Sequence, residues 1–303
     1  MERITTLMTA QRTIADLTQA FDRMSRTQGE LASGKRINQP SDDPYGAGHA
    51  VQISADLAGL DSYSRNVEDG KSWTSASDGA LMNMNNMVQR ARELLVEAGN
   101  DSTGQTGRSD MASEFDQLIA GIKQEANTNY AGQYVFAGTL NTAPAYQTGP
   151  VDTCQGNSGV INRQIGPGSM VQVNTDISGL LGNGQSAADG KLLNTLRDIA
   201  DHLRGGTTAD ADALRTTDLK ALDGNLGTLS QMEANVGATT NRLELASERI
   251  QDLQTSQTKL LSLTQDADFA QAAVDYSTEQ ASYSAALRAS ANIVQSSLLD
   301  FLR

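Results

Sequence analysis

The sequence predicts a mainly α fold with a small β-rich insertion, in which the N- and C-terminal segments form an elongated helical bundle or coiled coil. Three observations support this prediction. Apolar residues repeat every 3.5 positions near both ends of the 303-residue chain, as a coiled-coil seam requires. Proline is absent from residues 4–33 and 209–303. Strand and turn patterns are confined to the middle of the chain.

The first helix is predicted over residues 4–33, with a heptad seam that contains one polar residue, Gln28. Such a residue can fix the register of a coiled coil at some cost in stability. Gly34 is expected to end the helix, because glycine readily adopts the left-handed conformation found there. The seam consists of Leu7, Ala10, Ile14, Leu17, Phe21, Met24, Gln28 and Leu31.

A linker then leads to a second helix, predicted over residues 44–98. Asp43 is suited to cap this helix, and Pro44 to its first turn, where the missing N–H of proline would be unpaired anyway. A third helix is predicted over residues 109–127, after a loop of glycine and small polar residues.

The central segment has a different pattern. Residues 130–139, 159–165 and 170–173 read as strands and turns, with a turn at Gly166-Pro167-Gly168. Residues 130–182 are therefore predicted to form a small β-rich insertion.

Helix is predicted again at residues 188–204 and, after two glycines, from residue 209 to the C-terminus. A proline-free pattern of this length indicates a coiled coil or bundle rather than one globular helix. Gly224, Gly227 and Gly237 are the predicted points of interruption. A second heptad seam lies in this stretch and consists of Val236, Thr239, Leu243, Ala246, Ile250, Leu253, Gln257 and Leu260.

These elements predict five segments. Residues 1–44 and 261–303 are coiled-coil assembly segments, residues 45–129 and 186–260 are two parts of a helical core domain, and residues 130–185 are the insertion domain. Contacts between subunits are favoured over a purely internal bundle, because one partner helix cannot bury both flanks of such a rod. The predicted assembly interface consists of Leu7, Ile14, Leu17, Phe21, Met24, Leu31, Leu287, Val294, Leu298, Leu299, Phe301 and Leu302.

Composition excludes several classes of partner and site. A net charge of −13 argues against nucleic acid, whose phosphates need clustered Lys and Arg. No stretch approaches the roughly 20 apolar residues that span a membrane, and the N-terminus lacks the apolar core of a signal peptide. Export, if it occurs, is therefore expected to proceed without a cleaved signal.

No catalytic, cofactor or metal site is predicted. His49, His202 and the single cysteine, Cys154, are too few and too scattered in sequence for a zinc site or a nucleophile–base pair. Asp210 and Asp212 resemble the start of a calcium loop, but the required glycine and glutamate are missing. Capping of a helix explains these two aspartates better.

The linker after the first helix resembles the N-terminal motif shared by bacterial flagellins and flagellar hook-associated proteins. Residues 88–94 are similar to a helix of the same superfamily. The motif loop consists of Gly34, Lys35, Arg36, Ile37, Asn38, Pro40, Ser41, Asp42, Asp43 and Pro44.

Two further segments resemble one particular group of proteins within this superfamily. Residues 126–139 and 296–302 resemble the hook–filament junction proteins, also called third hook-associated proteins. The resemblance implies a structural adaptor that joins hook to filament through coiled coils and lateral contacts between subunits.

The resemblance also implies partners and a location. The expected partners are further copies of the chain in a ring, a hook-associated protein on the hook side, and flagellin or a second junction protein on the filament side. Before export by the flagellar type III apparatus, a cytoplasmic chaperone is expected at the C-terminal helix. The expected location is the extracellular flagellum, at the hook–filament junction.

Two other functions stay open at this point. The first is a minor flagellin, which would be a filament-forming subunit. The second, less favoured, is an enzyme carried in the insertion, which contains no histidine. For either polymer function, the first and last ~30 residues are expected to be mobile or chaperone-bound in the monomer and helical after assembly.

Overall fold

A computed structural model describes residues 2–100, 104–147, 149, 153–182 and 189–301, with the side chains of residues 2–7, 9–10 and 292–301 excepted. Its fold is mainly helical with two small antiparallel hairpins, which confirms the predicted fold class. The helices are α1 (Glu2–Ser33), α2 (Pro44–Ala98), α3 (Gln105–Ala126), α4 (Ser178–Leu181), α5 (Leu192–Gly205), α6 (Thr208–Ala213), α7 (Leu219–Gln265) and α8 (Phe269–Phe301). The strands are β1 (Asn129–Tyr130), β2 (Gln133–Tyr134), β3 (Asn162–Gly166) and β4 (Ser169–Gln172).

The chain divides into two compact units. We call Met1–Gly59 with Leu253–Arg303 the terminal unit, and Leu60–Asp252 the central unit. Helices α2 and α7 contribute residues to both units, whereas α1 and α8 lie in the terminal unit alone.

The predicted ends of the first two helices are confirmed. Helix α1 ends at Ser33, and Gly34 follows in the left-handed conformation with a φ of 71°. Helix α2 begins at Pro44, and the Oδ1 atom of Asp43 accepts a hydrogen bond from the backbone N–H of Gly46 at 2.9 Å. Asp43 is therefore the N-cap of α2.

The predicted interruptions of the C-terminal helix are wrong. Gly224, Gly227 and Gly237 all lie inside α7, where a Cβ atom would meet nothing within 4 Å. Glycine is tolerated inside this helix, since its intrinsic penalty is only about 1 kcal/mol per residue. The regular α-helix is interrupted instead at residues 214–218, which form a π-helical turn, and at residues 266–268, which separate α7 from α8.

The central unit has one large apolar core. Helices α2, α3, α5 and α7 all contribute buried side chains, and α3 packs directly against α5. Ion pairs at its surface join α2 to α7 through Arg92 and Asp223, and α2 to α3 through Arg90 and Glu114. The largest fully buried side chains are Trp73, Tyr146, Phe115, Leu81, Met84, Leu95, Ile122, Ile177, Leu180, Leu181, Leu192 and Leu193.

The insertion contains two hairpins, which confirms its β character. Strands β1 and β2 are joined by Ala131 and Gly132, whose positive φ angles of 51° and 83° suit a two-residue hairpin turn. Strands β3 and β4 turn at Pro167 and Gly168, as predicted. Asn66 of α2 donates a hydrogen bond to the carbonyl of β3 residue Gln164 at 3.0 Å.

The insertion has fewer strand residues than the sequence suggested. Its described residues between β2 and β3 form no strand, apart from one bridge between Tyr146 and Cys154. Asparagine side chains bind the backbone instead: Asn127 exchanges two hydrogen bonds with Tyr146, at 2.8 and 2.9 Å, and Asn157 accepts one from Thr139. These amides satisfy backbone groups that a ladder would otherwise satisfy.

Candidate assembly surface

The motif loop pairs with the joint between α7 and α8 inside the terminal unit. The backbone N–H groups of Arg36 and Ile37 donate to the carbonyl of Gln265 at 2.7 and 3.3 Å. In return, Ala267 donates to the carbonyl of Gly34 at 3.0 Å. The motif loop thus forms a short antiparallel contact with the segment that follows α7. Its N–H groups bind a carbonyl at the C-terminal end of α7, which has no partner within the helix.

Side chains of the motif loop tighten this contact. Ile37 is buried, and the Nη2 atom of Arg36 donates to the carbonyl of Thr264 at 3.0 Å. Gly46 in the first turn of α2 closes the packing, because a Cβ atom there would lie 2.5 Å from Oδ2 of Asp43 and 2.6 Å from Cδ1 of Ile37. Only glycine fits at this position without movement of the Asp43 and Ile37 side chains.

The side chain of Asp42 binds backbone groups within the motif loop. Its Oδ2 atom accepts hydrogen bonds from the backbone N–H groups of Asn38 and Gln39 at 3.1 and 2.9 Å. These hydrogen bonds lower the pKa of the Asp42 carboxyl. The Asn38 side chain donates in turn to the carbonyl of Lys35 at 3.0 Å. The motif residues therefore have structural roles in holding helix ends together.

Helix α1 packs against α8 through a face that mixes large apolar, small and polar side chains. Thr27 of α1 donates a hydrogen bond to Oε2 of Glu279 at 2.6 Å, and the rings of Phe21 and Tyr283 lie 5.8 Å apart. The buried and half-buried positions on α1 include Leu17, Ala20, Met24, Thr27 and Leu31, and those on α8 include Ala272, Tyr276, Glu279, Tyr283, Ala286 and Ser290.

Among the six positions of the predicted N-terminal seam whose side chains the structure describes, three are exposed. The positions Leu17, Met24 and Leu31 are half-buried, whereas Ile14, Phe21 and Gln28 are exposed. The exposed fractions of Ile14 and Phe21 are 63% and 49%. Helix α8 therefore covers the heptad stripe only partly, because even Phe21, whose ring lies beside Tyr283, is about half exposed.

The C-terminal helices also present apolar side chains to solvent. Leu287, a predicted interface residue, is 45% exposed, and Phe269 and Val274 on α8 are more exposed still. On α7, Leu253 and Leu260 of the second predicted seam are exposed as well. These residues, with Ile14 and Phe21, form what we call the open apolar set: Ile14, Phe21, Leu253, Leu260, Phe269, Val274 and Leu287.

Several predicted interface residues fall outside what the structure describes. The side chains of Leu7, Val294, Leu298, Leu299 and Phe301 are not among the described ones, although their backbones belong to α1 and α8. Leu302 lies outside the described residues altogether. Their place in the interface stays a prediction.

Sequence reasoning identified only part of the side of α8 that faces α1. Ala272 and Glu279 lie on this face, and neither stands out in an apolar heptad pattern. It also missed the joint between α7 and α8. A signal was present there, because Asp268 accepts hydrogen bonds from Ala270 and Gln271, and aspartate is a preferred N-cap residue.

The remaining chemistry-bearing residues have structural partners. The Nδ1 atom of His202 in α5 lies 2.7 Å from Oδ2 of Asp218 in the π-helical turn. Asp210 forms a capping box with Thr207, as its predicted capping role requires. Cys154 is half-buried in the insertion. Within the described ranges, no three His, Cys, Asp or Glu side chains are grouped to hold a metal ion. No helix in those ranges is long and apolar enough to cross a membrane.

Comparison with known proteins gives matches at both ends of the chain. Residues 4–141 match the model of the bacterial flagellin N-terminal helical region, and residues 219–302 match that of the bacterial flagellin C-terminal helical region. The flagellin of Bacillus subtilis is 30% identical over 254 residues, which cover 80% of each chain.

Solved structures share the fold. A flagellar hook-associated protein from Vibrio parahaemolyticus superposes with a TM-score of 0.65 at 19% identity, over 74% of this chain and 99% of that one. The flagellar junction protein of Legionella pneumophila gives a TM-score of 0.58 at 15% identity, over 72% of this chain and 99% of that one. At these identities the likeness establishes a common fold.

Proposed function

Because this chain belongs to the bacterial flagellin family, we propose that it is a structural subunit of the flagellum that joins the hook to the filament. Its mechanism is mechanical. Subunits assemble through their terminal helices, and the assembled helices connect two polymers of different stiffness. No step of this mechanism requires catalysis.

The observation that supports assembly most strongly is the open apolar set of the terminal unit. Helices α1 and α8 contact each other along one face, while other large apolar side chains such as Ile14 and Leu287 remain exposed. Large apolar side chains that stay exposed on three helices of one unit are candidates for contacts with neighbouring copies. Neighbouring copies that cover these side chains would contribute about 1.5–3 kcal/mol for each large apolar group fully buried.

Two observations support the junction over the filament. Residues 126–139 and 296–302 resemble hook–filament junction proteins, and the whole of a hook-associated protein superposes on part of this chain. A minor flagellin is the second candidate, and the 30% identity with Bacillus subtilis flagellin favours it. Both candidates use the same helices for assembly and differ in the neighbours that the subunit meets.

The proposal includes specific partners and a location. We infer a ring of identical subunits at the extracellular hook–filament junction. A hook-associated protein lies on the hook side, and flagellin or a second junction protein lies on the filament side. Before export, a cytoplasmic chaperone covers the C-terminal helix, where Leu287 offers exposed apolar surface.

Deletion of the gene in the source bacterium tests the proposal. A junction subunit is required for filament attachment, so the deletion strain should keep intact hooks and release flagellin into the medium. Complementation with the intact gene is the control. Shortened filaments that remain attached to the hooks would contradict the junction function and support a minor flagellin. Gold-labelled antibody should bind at the base of the filament and nowhere along its length.

A further inference from the structure

Helices α2 and α7 run antiparallel through the central unit. The side chain of Asn85 on α2 donates a hydrogen bond to the carboxylate of Glu233 on α7 at 2.9 Å. Closer to the start of α2, a Cβ atom on Gly70 would lie 3.3 Å from Cδ1 of Leu243. Residue numbers therefore fall along α2 as they rise along α7. Helices packed in this way can slide past one another by small amounts unless another element fixes them.

Strand β3 binds α2 through two polar contacts. The side chain of Asn66 donates a hydrogen bond to the carbonyl of Gln164 at 3.0 Å, and Nε of Arg163 donates to Oδ2 of Asp69 at 2.6 Å. Asn66 and Asp69 are three residues apart and therefore share one face of α2. The Arg163 side chain is only 28% exposed, so solvent ions screen this pair less than a fully exposed one.

Strand β4 contacts the other helix. Nη2 of Arg242 on α7 donates a hydrogen bond to the carbonyl of Met170 at 3.3 Å. Val173, the residue after β4, packs where the two helices meet, since its Cγ1 atom would lie 3.3 Å from a Cβ atom on Gly70. Cδ1 of Leu243 lies at the same distance from that position. The hairpin therefore contacts α2 and α7 at the same level of the central unit.

Asn174 fastens the two ends of the hairpin to each other. Its Oδ1 atom accepts a hydrogen bond from the backbone N–H of Ile161, and its Nδ2 atom donates to the carbonyl of Gly159, both at 2.7 Å. An isolated two-stranded hairpin is only marginally stable in water, so these bonds and the contacts with the helices keep it ordered. Displacement of one strand is therefore passed on to the other.

We propose that the hairpin β3–β4 is a strap that ties α2 to α7 and resists sliding of one helix along the other. Its anchors on the helices, Asn66 and Arg242, lie close in sequence to Leu60 and Asp252, where both helices pass from the central unit into the terminal unit. This inference rests on the proposed function, because resistance to sliding matters in a subunit that transmits force between its neighbours. It assigns this part of the insertion a role within the subunit itself.

Hydrogen exchange of the purified full-length monomer at pH 7 tests the strap, because the change is read on the helix that is not substituted. Asn66→Ala removes an anchor on α2, and we expect amide exchange at residues 239–246 of α7 to become about two- to tenfold faster. Arg242→Met removes the anchor on α7 and keeps the aliphatic stem. Exchange at residues 63–72 of α2 should then become about two- to threefold faster.

Two matched controls separate the strap from direct packing of the helices. Asn85→Ala removes a contact between α2 and α7 that does not involve the hairpin, and Arg65→Met removes an exposed ion pair within α2. Neither should change exchange at residues 239–246. Equal changes there for Asn66→Ala and Asn85→Ala, or effects confined to the substituted helix, would overturn the proposal. Arg242 is exposed, so Arg242→Met should stay folded and decides the question if Asn66→Ala does not fold.

The strap and the junction function can fail separately. The exchange measurements need no flagellum, so unchanged exchange in both anchor variants would refute the strap and leave the proposed junction function intact. A deletion strain that keeps its filaments attached would refute the junction function without altering the exchange result.

Discussion

The two units of this protein use the same heptad pattern in different ways. In the central unit, α7 buries Leu243 and Ile250, with exposed fractions of 0% and 4%. Further along the same helix, in the terminal unit, Leu253 and Leu260 of the same seam are 40% and 43% exposed. The pattern therefore predicts a helix with an apolar stripe. Whether that stripe is buried depends on which other helices or strands pack against it.

This difference indicates which unit is complete as a monomer. The central unit has α3, α5 and the insertion to cover its helices, and its core contains large side chains such as Trp73 and Phe115. In the described part of the terminal unit, the buried apolar residues are Ala20, Ile37, Ala50, Ile53 and Ala272. Its remaining apolar surface is available to other subunits.

The largest effect on stability is expected in the central core. Leu243→Ala should destabilise the monomer by about 2–5 kcal/mol, because it opens a cavity beside a fully packed site. Leu260→Ala, in the same seam of the terminal unit, should cost less than about 1 kcal/mol. Urea denaturation of both variants measures the comparison. Equal losses would mean that the two units are packed alike.

Assembly, in contrast to monomer stability, should depend on the exposed apolar side chains of the terminal unit. Ile14→Asp with Leu287→Asp should leave the urea midpoint nearly unchanged, since both side chains are exposed. Filament attachment should fail, because anchors buried in an interface commonly contribute about 2 kcal/mol each. Leu245→Asp, at an exposed site on α7 of the central unit, is the matched control. Normal motility of the double variant would contradict the assignment of the open apolar set.

A substitution in the first turn of α2 should weaken the packing of the motif loop while leaving the contact between α1 and α8 unchanged. Gly46→Ala places a Cβ atom within 2.6 Å of Asp43 and Ile37, which should cost about 1–3 kcal/mol. Gly48→Ala, two residues later in α2, meets nothing within 4 Å and should stabilise the helix by about 0.5–1 kcal/mol. Hydrogen exchange at residues 34–46 should rise in the first variant alone, and an unchanged rate there would show that the loop tolerates the extra atom.

The smallest expected effect is a change in the order of the motif loop with pH. Because hydrogen bonds from Gln39 and Asn38 lower the pKa of Asp42, its contribution to loop order is complete above the usual aspartate value of 3.8. That contribution is lost as pH falls through the lower folded value. NMR titration should show the amide signals of Asn38 and Gln39 shifting with Asp42, below pH 3.8. A midpoint above 3.8 would mean that these hydrogen bonds do not favour the charged carboxylate.

Much of the fold was predictable from local signals. Asp43, Pro44 and Gly34 mark helix ends through chemistry that acts within a few residues, and the structure has those ends where the sequence indicated. Interruption of the C-terminal helix was not predictable from glycine content. The break between α7 and α8 coincides with the contact between Gln265 and the motif loop, which joins residues far apart in the chain.

The site was predictable only in part for a similar reason. Heptad spacing identifies Ile14, Leu17 and Phe21 as one stripe, yet α8 covers a face centred closer to Ala20 and Thr27. The covered face includes small and polar side chains such as these two, which carry no periodic apolar signal. The insertion was similarly underdetermined, because asparagine side chains replace much of its expected ladder.

Hydrogen exchange of the dilute monomer tests the central claim most directly. If the terminal unit is incomplete without neighbours, amides of α1 and α8 should exchange at least about a hundredfold faster than those of α3 and α5. After assembly into rings or filaments, the same amides of α1 and α8 should become protected. Equal protection of all four helices in the isolated monomer would contradict the account.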